Sequence, residues 1–599
     1  MADSLHSSTF PLDHRNINLL CASLLIQTWV QLGLREAVIC PGSRSGPLAI
    51  AAAAHPDLLA IPCLDERSAA FFALGMAMRS AIAHSSHRPV ILICTSGTAG
   101  ANFYPAVIEA TARGIPLLIL TADRPPELRH CHAGQAIDQL KLFGTYPRWQ
   151  TELPIPEPDP GVVRYWRQMA LHGWERSQFP DPGVVHFNIP LREPLAPLLQ
   201  PDLAHQAPHW HLDFSLTAYR PPPAPTLTLP ADLPSQGVII AGLAQPADPV
   251  AYSRAVARLA QTLGYPILAD GLSPLRHHQD ITGPVISTYD LILRDRPTAR
   301  RLTPQAVIQL GPLPTSKILR QWLDQTQPHR WIIDPRPDNF DPIQGRTLHL
   351  RTTVEAITLP AQFAGDLEYA QTWHNLAIAA QRHLDQHIAQ TTPLIAAKVP
   401  WLLAQYLPPE TPVVIANSMA VRDVEAFWPG SDRRFIPYCN RGANGIDGTV
   451  STALGIAHHH RPTVLLTGDL ALLHDINGLL LAPQFRGHLT IIVINNQGGG
   501  IFEHLPIAQF DPPYTDFFAT PQGVDLGRLC AAYGVDYQRI EDWPMLITAI
   551  APLPTTGIRL LEIPTHRQRD ALERDRWFKD WPDGGGSVEI PPDHPVANF

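Results

Sequence analysis

Two stretches decide the fold: TVLLTGDL at residues 463–470 and LTIIVINN at residues 489–496. Each is an apolar run that ends in polar residues, which predicts two buried parallel strands. The ends of neighbouring parallel strands form the crevice where an open α/β sheet binds its ligand. The carboxylate of Asp469 and the amide oxygen of Asn496 would therefore meet at one edge of the sheet. Hard oxygen ligands of this kind suit Mg²⁺ beside a diphosphate.

The composition is that of a large globular protein. The chain has 599 residues, of which 45% are hydrophobic and 17% charged, enough for about three to four domains. A net charge of −9 gives no indication of a nucleic-acid or membrane-surface partner. No run of apolar residues is long enough to span a membrane. The seven cysteines form no C-x-x-C pair, so we expect no disulfide framework, no zinc site and a reducing cytoplasm.

Apolar runs alternate with helical segments throughout the chain, which predicts an α/β protein with mainly parallel sheets. We expect three α/β domains, at residues 1–195, 236–358 and 373–580, joined by a proline-rich linker at 196–235 and a second linker at 359–372 and followed by a tail at 581–599. The central domain has Gly242 and Gly271 but no G-x-G-x-x-G fingerprint. A structural, Rossmann-like role is therefore expected for it.

The predicted strands follow from apolar runs bounded by turn residues. They lie at 37–40, 59–63, 90–94 and 116–120 in the first domain, at 238–242, 266–269, 307–311 and 331–334 in the second, and at 413–416, 463–466, 489–494 and 558–563 in the third.

The segment LDERSAA at residues 64–70 follows a predicted strand and opens an apolar helix. Acidic residues at such a place most often cap the helix and favour its dipole. A second interpretation comes from the Gly-Asp and Asn-Asn pair, which resembles the metal–diphosphate motif of thiamin diphosphate (ThDP) enzymes. These enzymes need a buried carboxyl against the pyrimidine ring of the cofactor, and Glu66 suits that task. Burial would raise the pKa of such a group, as proton transfer requires.

Further motifs give a closer resemblance, to the 2-succinyl-5-enolpyruvyl-6-hydroxy-3-cyclohexene-1-carboxylate synthase family. The motifs are PGSRS at 41–45, DERS at 65–68, TSGTA at 95–99, TADRPPE at 121–127, QAI at 135–137, NSMAVR at 417–422, NRGANGIDG at 440–448 and NNQGGGIF at 495–502. The resemblance makes 1–195 a pyrimidine-binding domain and 373–580 a diphosphate-binding domain. Leu470 stands where the broader superfamily has a third glycine.

The resemblance implies a role for each cofactor residue. Glu66 would contact the aminopyrimidine, while Asp469, Asn496 and the carbonyl of Gly498 would hold Mg²⁺ or Mn²⁺ on the diphosphate. Ile446 would be the apolar wedge that bends the cofactor, and Phe502 would line the same site. For the last two residues plain core packing stays an open alternative.

The resemblance also implies two dicarboxylate substrates, 2-oxoglutarate and isochorismate. Planar guanidinium groups bind carboxylates through paired hydrogen bonds. One set would face the part derived from 2-oxoglutarate: Ser418, Arg422 and Arg441. A second set would face isochorismate: Ser43, Arg44, Arg124, Gln135 and Lys317. Taken singly, each arginine is more often a surface residue or part of a structural ion pair.

The implied reaction is decarboxylation of 2-oxoglutarate, followed by 1,4-addition of the resulting succinyl-semialdehyde enamine to isochorismate, in menaquinone or phylloquinone biosynthesis. A homodimer or homotetramer with the active site between subunits is also implied. Two alternatives stay open: another ThDP-dependent 2-oxo acid decarboxylase or carboligase, and a catalytically silent binding protein of the same fold. Glu66, Asp469 and Asn496 together argue against the silent protein.

Overall fold

Three large parallel sheets, one in each third of the chain, organise the described residues, and two further short strands form a two-stranded sheet. The computed structural model describes residues 10–84, 88–207, 222–359 and 363–581. The fold class expected from the sequence, three α/β units with mainly parallel sheets, is confirmed.

The first sheet has six parallel strands in the order β2-β1-β3-β4-β6-β5. Its strands are β1 (Glu36–Ile39), β2 (Leu59–Pro62), β3 (Val90–Cys94), β4 (Leu117–Asp123), β5 (Trp149–Glu152) and β6 (Val184–Pro190). Its helices are α1 (Ile17–Leu32), α2 (Gly46–Ala54), α3 (Glu66–His84), α4 (Tyr104–Arg113) and α5 (Pro160–Gln178). The sequence did not predict β5 or β6.

The central sheet has five parallel strands in the order β12-β11-β10-β8-β9. Strands of this part are β7 (Leu227–Thr228), β8 (Gly237–Ala241), β9 (Ile267–Ala269), β10 (Ala306–Leu310), β11 (His329–Ile333), β12 (Arg346–Leu350) and β13 (Ile357–Thr358). Helices are α6 (Pro201–Gln206), α7 (Pro249–Leu263), α8 (Gln279–Thr282), α9 (Tyr289–Arg294), α10 (Arg296–Arg301) and α11 (Lys317–Thr326).

The third sheet has six parallel strands in the order β15-β14-β16-β17-β19-β18. Its strands are β14 (Pro412–Ile415), β15 (Ile436–Tyr438), β16 (Thr463–Gly468), β17 (His488–Asn495), β18 (Asp536–Arg539) and β19 (Gly557–Pro564). Helices are α12 (Leu367–Gln390), α13 (Lys398–Tyr406), α14 (Met419–Phe427), α15 (Thr449–Ala457), α16 (Asp469–His474), α17 (Leu526–Tyr533), α18 (Trp543–Ile550) and α19 (Arg567–Lys579).

The first and third sheets share one topology. Numbered from the first strand of each, both have the order 2-1-3-4-6-5. In both, the second strand lies on one side of the first strand and the third strand lies on its other side. The strand order therefore reverses between β1 and β3 and between β14 and β16, and such a reversal opens a ligand-binding crevice at the carboxyl edge.

Helices α3 and α15 join the first and third parts of the chain. They cross closely because glycines lie at the contact: a Cβ added to Gly75 would be 2.1 Å from the carbonyl oxygen of Thr452. One added to Gly455 would be 2.1 Å from the carbonyl oxygen of Phe72. Side chains of both sheets share one hydrophobic core around this crossing. This contact therefore fixes the position of the carboxyl edge of the first sheet relative to that of the third sheet.

The predicted linkers contain ordered elements. In 196–235 the chain forms α6 and then β7, which pairs with β13. In 359–372 it begins α12, whose Tyr369 and Trp373 pack into the core of the central part. Residues 208–221 and 360–362 of these linkers, and 582–599 of the tail, lie outside the described residues.

Two expected absences can be examined in the structure. Within the described ranges, no helix combines the length and apolarity needed to cross a bilayer. All seven cysteines are described and none is in a disulfide; six are buried and Cys131 is exposed.

Candidate active site

Asp469 and Asn496 lie at the carboxyl ends of adjacent strands. Strands β16 and β17 pair in parallel up to Gly468 opposite Ile494. Asp469 is buried and accepts hydrogen bonds from the backbone N–H groups of Leu470, at 2.9 Å, and Gly498, at 2.8 Å. Burial raises the pKa of Asp469, and the hydrogen bond from Gly498 opposes that shift. The structure thus brings a carboxylate and an amide to one edge.

The two asparagines of the Asn-Asn pair have different surroundings. Asn495 donates to the Glu562 carboxylate at 2.8 Å, so it joins β17 to β19. The half-buried side chain of Asn496 makes no hydrogen bond within the described part of the chain. Asn496 is therefore the member whose amide oxygen is free for a ligand, as the resemblance implies.

A tight turn follows β17 and shapes the same edge. Gly498 has φ +129°, and a Cβ there would lie 2.1 Å from the carbonyl oxygen of Ala519. Only glycine fits such a backbone conformation without strain. The Gly498 carbonyl, a predicted metal ligand, accepts a hydrogen bond from the N–H of Gly500 at 2.9 Å. A carbonyl oxygen has two lone pairs, so one stays available.

The two apolar cofactor candidates lie beside this edge. Ile446 is half-buried and packs against the core of the third sheet. Phe502 is also half-buried, and its ring lies edge-on to Phe518 at 5.6 Å between centroids. Both interpretations left open by the sequence, core packing and a site wall, agree with this partial burial.

For the acidic pair Asp65-Glu66 the sequence left two interpretations open, a helix cap and a carboxyl that contacts the cofactor. In the structure the two carboxylates have different surroundings. Asp65 accepts from the N–H of Arg67 at 3.0 Å and pairs with its guanidinium, and it also accepts from Asn477 at 2.9 Å. The hydrogen bond from Arg67 is the main reason that the pKa of Asp65 falls to about 2. Asp65 is thus the structural carboxylate. Glu66, the first residue of α3, makes no hydrogen bond or ion pair within the described ranges and is only half-buried in the single chain.

Four residues of the predicted isochorismate set follow strands of the first sheet. Arg44 is buried and donates to the carbonyl of Leu191 at 2.8 Å. Burial, and then the nearby charge of Arg124, lowers the pKa of Arg44. Arg124 in turn donates to the side chain of Gln135 at 3.4 Å. Arg44, Arg124 and Gln135 are therefore one group, and Ser43 is exposed next to it.

The residues predicted to face 2-oxoglutarate follow β14 and β15. Ser418 has φ +67° and ψ −126°, a conformation that costs a non-glycine residue about 1–3 kcal/mol. Arg422, one turn later in α14, donates to the carbonyl of Ser418 at 2.5 Å. Arg441 donates to the side chain of Asn417 at 2.9 Å. Backbone strain of this kind is found where neighbouring structure fixes a functional residue.

A third arginine, which the sequence analysis missed, completes this group. Burial, and then the charge of Arg441, lowers the pKa of Arg320, and burial, Arg441, Arg574 and Arg320 lower that of Arg422. Arg574 is paired with a carboxylate, Asp423, at 3.0 Å. In the described residues no ion pair neutralises the other three, which we call the arginine triad (Arg320, Arg422 and Arg441). The triad is an unneutralised positive site.

Lys317 belongs to the same helix as Arg320. It is exposed in the first turn of α11, and residues three apart in a helix share a face. Lys317 and Arg320 therefore lie on one face of α11. The spacing between Lys317 and Arg320 was the sequence signal that could have identified the second residue.

A buried glutamate, Glu109, was not predicted from the sequence. Glu109, in α4 of the first part, accepts from the backbone N–H of Gly442 at 2.8 Å and of Ala443 at 2.7 Å. Burial raises its pKa, and the hydrogen bond from Ala443 is the largest effect that opposes this. Glu109 therefore holds the loop that carries Arg441.

The candidate residues form two groups in the single chain. One belongs to the first sheet and includes Glu66 and Arg124; the other belongs to the third sheet and includes Asp469 and Arg422. Across the described ranges, no hydrogen bond or ion pair joins the two groups.

The chain is similar to known proteins over most of its length. Three family models match the chain: "Thiamine pyrophosphate enzyme, N-terminal TPP binding domain" at 21–142, "Middle domain of thiamine pyrophosphate" at 231–415 and "Thiamine pyrophosphate enzyme, C-terminal TPP binding domain" at 418–555. In fold, the chain is similar to benzoylformate decarboxylase from Polynucleobacter necessarius. The TM-score is 0.63 at 15% identity, over 91% of this chain and 98% of that one.

Curated relatives are much closer in sequence. A protein of Rippkaea orientalis is 52% identical over 95% of this chain and 96% of its own length. A protein of Gloeothece citriformis is 53% identical over 95% of this chain and 98% of its own. Both are named 2-succinyl-5-enolpyruvyl-6-hydroxy-3-cyclohexene-1-carboxylate synthase. With identity this high over nearly its whole length, the chain belongs to the 2-succinyl-5-enolpyruvyl-6-hydroxy-3-cyclohexene-1-carboxylate synthase family of thiamin diphosphate enzymes.

Proposed function

We propose that the chain decarboxylates 2-oxoglutarate and transfers the remaining four-carbon unit to isochorismate by 1,4-addition, in menaquinone or phylloquinone biosynthesis. The observation that carries the proposal is the arginine triad, of which Arg422 and Arg441 follow β14 and β15 at the same sheet edge as Asp469. Three guanidinium groups that have no carboxylate partner among the described residues fit a substrate that keeps a carboxylate after CO₂ has left. The Arg44–Arg124 group then offers a second anion-binding site, for isochorismate.

The residues at the carboxyl edge of the third sheet fit a metal-bound diphosphate. Asp469 supplies a carboxylate, and Asn496 supplies an amide oxygen without another partner. We propose that these two, with the Gly498 carbonyl, hold Mg²⁺ or Mn²⁺, because hard oxygen donors suit both ions. ThDP, when bound, supplies the electron sink for loss of CO₂.

The protein's own residues have three tasks in this proposal. Glu66 holds and moves a proton at the aminopyrimidine, for which its free carboxylate is suited. Ile446 and Phe502 line the cofactor site. Ser418 and the triad orient the 2-oxoglutarate carboxylate, and Ser43, Arg44, Arg124, Gln135 and Lys317 orient isochorismate. Aligning two anions against their mutual repulsion is the main cost that these groups offset.

We further propose a homodimer or homotetramer in which the Glu66 group of one subunit completes the Asp469 group of another. Two observations support this proposal: in the described residues no hydrogen bond or ion pair joins the two groups, and Glu66 is only half-buried. We keep the domain boundaries 1–195, 236–358 and 373–580 as part of it, because each range contains one of the three sheets.

One assay tests the proposed function directly. The protein is incubated with ThDP, Mg²⁺, 2-oxoglutarate and isochorismate, and the product is identified by mass. We expect CO₂ and the cyclohexene-carboxylate adduct in equal amounts. CO₂ release without an adduct would indicate a plain decarboxylase, and the absence of both would indicate a silent binding protein.

A further inference from the structure

Asn417 occupies the turn between β14 and α14, directly before the strained Ser418. Its side chain is 5% exposed, so its polar atoms need partners within the protein. The Nδ2 atom donates to the carbonyl oxygens of Asn440, at 2.6 Å, and Gly445, at 2.7 Å. The Oδ1 atom accepts from Nη1 of Arg441 at 2.9 Å.

These three partners all belong to the loop at residues 440–445. Asn440 and Gly445 mark its two ends, and Arg441 is its charged residue. The Oδ1 atom also accepts a weak contact from the thiol of Cys439 at 3.7 Å. A carboxamide has two donors and two acceptor lone pairs, so Asn417 uses its full capacity on this loop and on Cys439 directly before it.

The orientation of Arg441 depends on this contact. No carboxylate pairs with Arg441 in the described residues, and its side-chain hydrogen bond is to Asn417. The neighbouring triad members Arg320 and Arg422 repel its charge. Without the amide oxygen, repulsion would turn the guanidinium away from them.

We propose that Asn417 is a positioning residue that sets selectivity for 2-oxo acids with a distal carboxylate. It fixes both the loop and the guanidinium of Arg441, so that the triad forms one site of defined shape. The inference rests on the proposed function, since it assigns Arg441 to the distal carboxylate of 2-oxoglutarate. Misplacing a charged group by about 1 Å can cost on the order of a hundredfold in rate.

The test compares 2-oxoglutarate with 2-oxopentanoate, which has the same chain length but no distal carboxylate. CO₂ release is measured for both substrates with ThDP and Mg²⁺, and selectivity is the ratio of their kcat/KM values. For Asn417→Leu, whose side chain has the same number of heavy atoms and the same branching but no polar atoms, we expect selectivity to fall about tenfold or more. Most of the change should be a higher KM for 2-oxoglutarate, with 2-oxopentanoate little affected.

Gln309 offers a matched control. It is also a fully buried carboxamide that donates to two carbonyl oxygens, those of Gly311 and Phe340, and accepts from an arginine, Arg330 at 3.1 Å. It lies in β10 of the central sheet. Gln309→Leu should lose a comparable amount of stability and keep the selectivity of the unmodified protein.

Three outcomes are distinguishable. If the unmodified protein releases no CO₂ from 2-oxoglutarate, the proposed function fails. If it does release CO₂, either of two results overturns the role of Asn417. In the first, Asn417→Leu loses activity equally on both substrates; in the second, its selectivity equals that of Gln309→Leu. If Asn417→Leu does not fold, Asn417→Ser, which is smaller but polar, takes its place with the same two expectations.

A double-mutant cycle separates Asn417 from a general effect on the site. In an Arg441→Ala background the guanidinium is gone, so Asn417→Leu should cause little further loss of selectivity. Additive losses would show that Asn417 acts on selectivity by a route other than Arg441 and would overturn the inference.

Discussion

The Oε1 atom of Glu109 accepts a hydrogen bond from the backbone N–H of Gly442 at 2.8 Å, across 333 residues of sequence. The other oxygen accepts from Ala443 at 2.7 Å. One carboxylate of the first domain therefore holds two consecutive amides of the loop that carries Arg441, while Asn417 holds the same loop from the other side.

Glu109→Gln tests this interdomain contact. The variant points an NH₂ group at a backbone N–H, which leaves a buried donor without an acceptor at a cost of about 1–3 kcal/mol. We expect a lower melting temperature and a higher KM for 2-oxoglutarate, measured by calorimetry and by CO₂ release. An unchanged KM would mean that Asn417 alone fixes the loop.

Glu66→Gln should separate cofactor binding from turnover. The carboxylate of Glu66 makes no hydrogen bond or ion pair in the described chain, so the fold should persist. Loss of a positioned proton-transfer group typically costs on the order of a hundredfold or more. ThDP binding by calorimetry should be retained while CO₂ release nearly stops. Activity close to that of the unmodified protein would remove Glu66 from the mechanism.

Asp469→Ala should lose ThDP affinity at ordinary Mg²⁺ concentration. Without the carboxylate the diphosphate loses its bridging cation. The control is Asp475→Asn, a buried residue of the same segment whose carboxylate binds Ser451 instead. Titration with ThDP and Mg²⁺ should show normal affinity for the control. Equal affinities for both variants would place the metal elsewhere.

Arg422 and Arg124 should act in different half-reactions, since they belong to different groups of the site. Arg422→Ala should slow CO₂ release even without isochorismate, whereas Arg124→Ala should keep that step and raise the KM for isochorismate. Loss of one charged hydrogen-bonding partner of a carboxylate costs roughly 1.5–3 kcal/mol, or about ten- to a hundredfold. Single-turnover CO₂ release distinguishes them. Equal loss of the first step would mean that the arginines act as one electrostatic field.

His186 should make stability depend on pH. It is buried in β6, bonds the Thr121 hydroxyl at 2.8 Å, and burial lowers its pKa to about 3. In the unfolded chain the pKa of a histidine is near 6.5. Below that pH the unfolded chain therefore binds more protons than the folded chain. The free energy of unfolding is then highest above pH 6.5 and decreases as the pH falls. At pH 5 the loss is about 2 kcal/mol.

Urea unfolding at pH 7.5 and pH 5 measures this contribution. His186→Gln keeps a polar group near Thr121 but does not titrate, so its stability should fall less between the two pH values. If the unmodified protein and the variant lose the same stability, other groups account for the pH dependence.

Strands made of unbroken apolar runs could mostly be predicted from the sequence, whereas several strands that contain polar residues could not. Val90–Cys94 was predicted with its observed bounds because every residue is apolar. The edge strands Trp149–Glu152 and Asp536–Arg539 escaped because they are mostly polar and partly exposed. The missed strand Val184–Pro190 is fully buried, but its histidine and asparagine interrupt the apolar run.

Residues of the candidate site also differ in whether a local sequence pattern could predict them. Asp469 and Asn496 could be paired from sequence, because parallel strands bring their carboxyl ends together. Glu109 could not, since a glutamate in an amphipathic helix usually faces solvent, and its partners are distant in sequence. Contacts between separately predicted elements leave no local pattern in the chain.

The common strand order of the two six-stranded sheets places residues of the candidate site at equivalent positions. Arg44 follows the first strand of one sheet and Arg422 the first strand of the other, while Glu66 and Arg441 each follow the second. This correspondence is what an internal gene duplication would leave. After such a duplication, Arg44 and Arg422, which we propose for different anionic substrates, would occupy equivalent positions in two copies of one module.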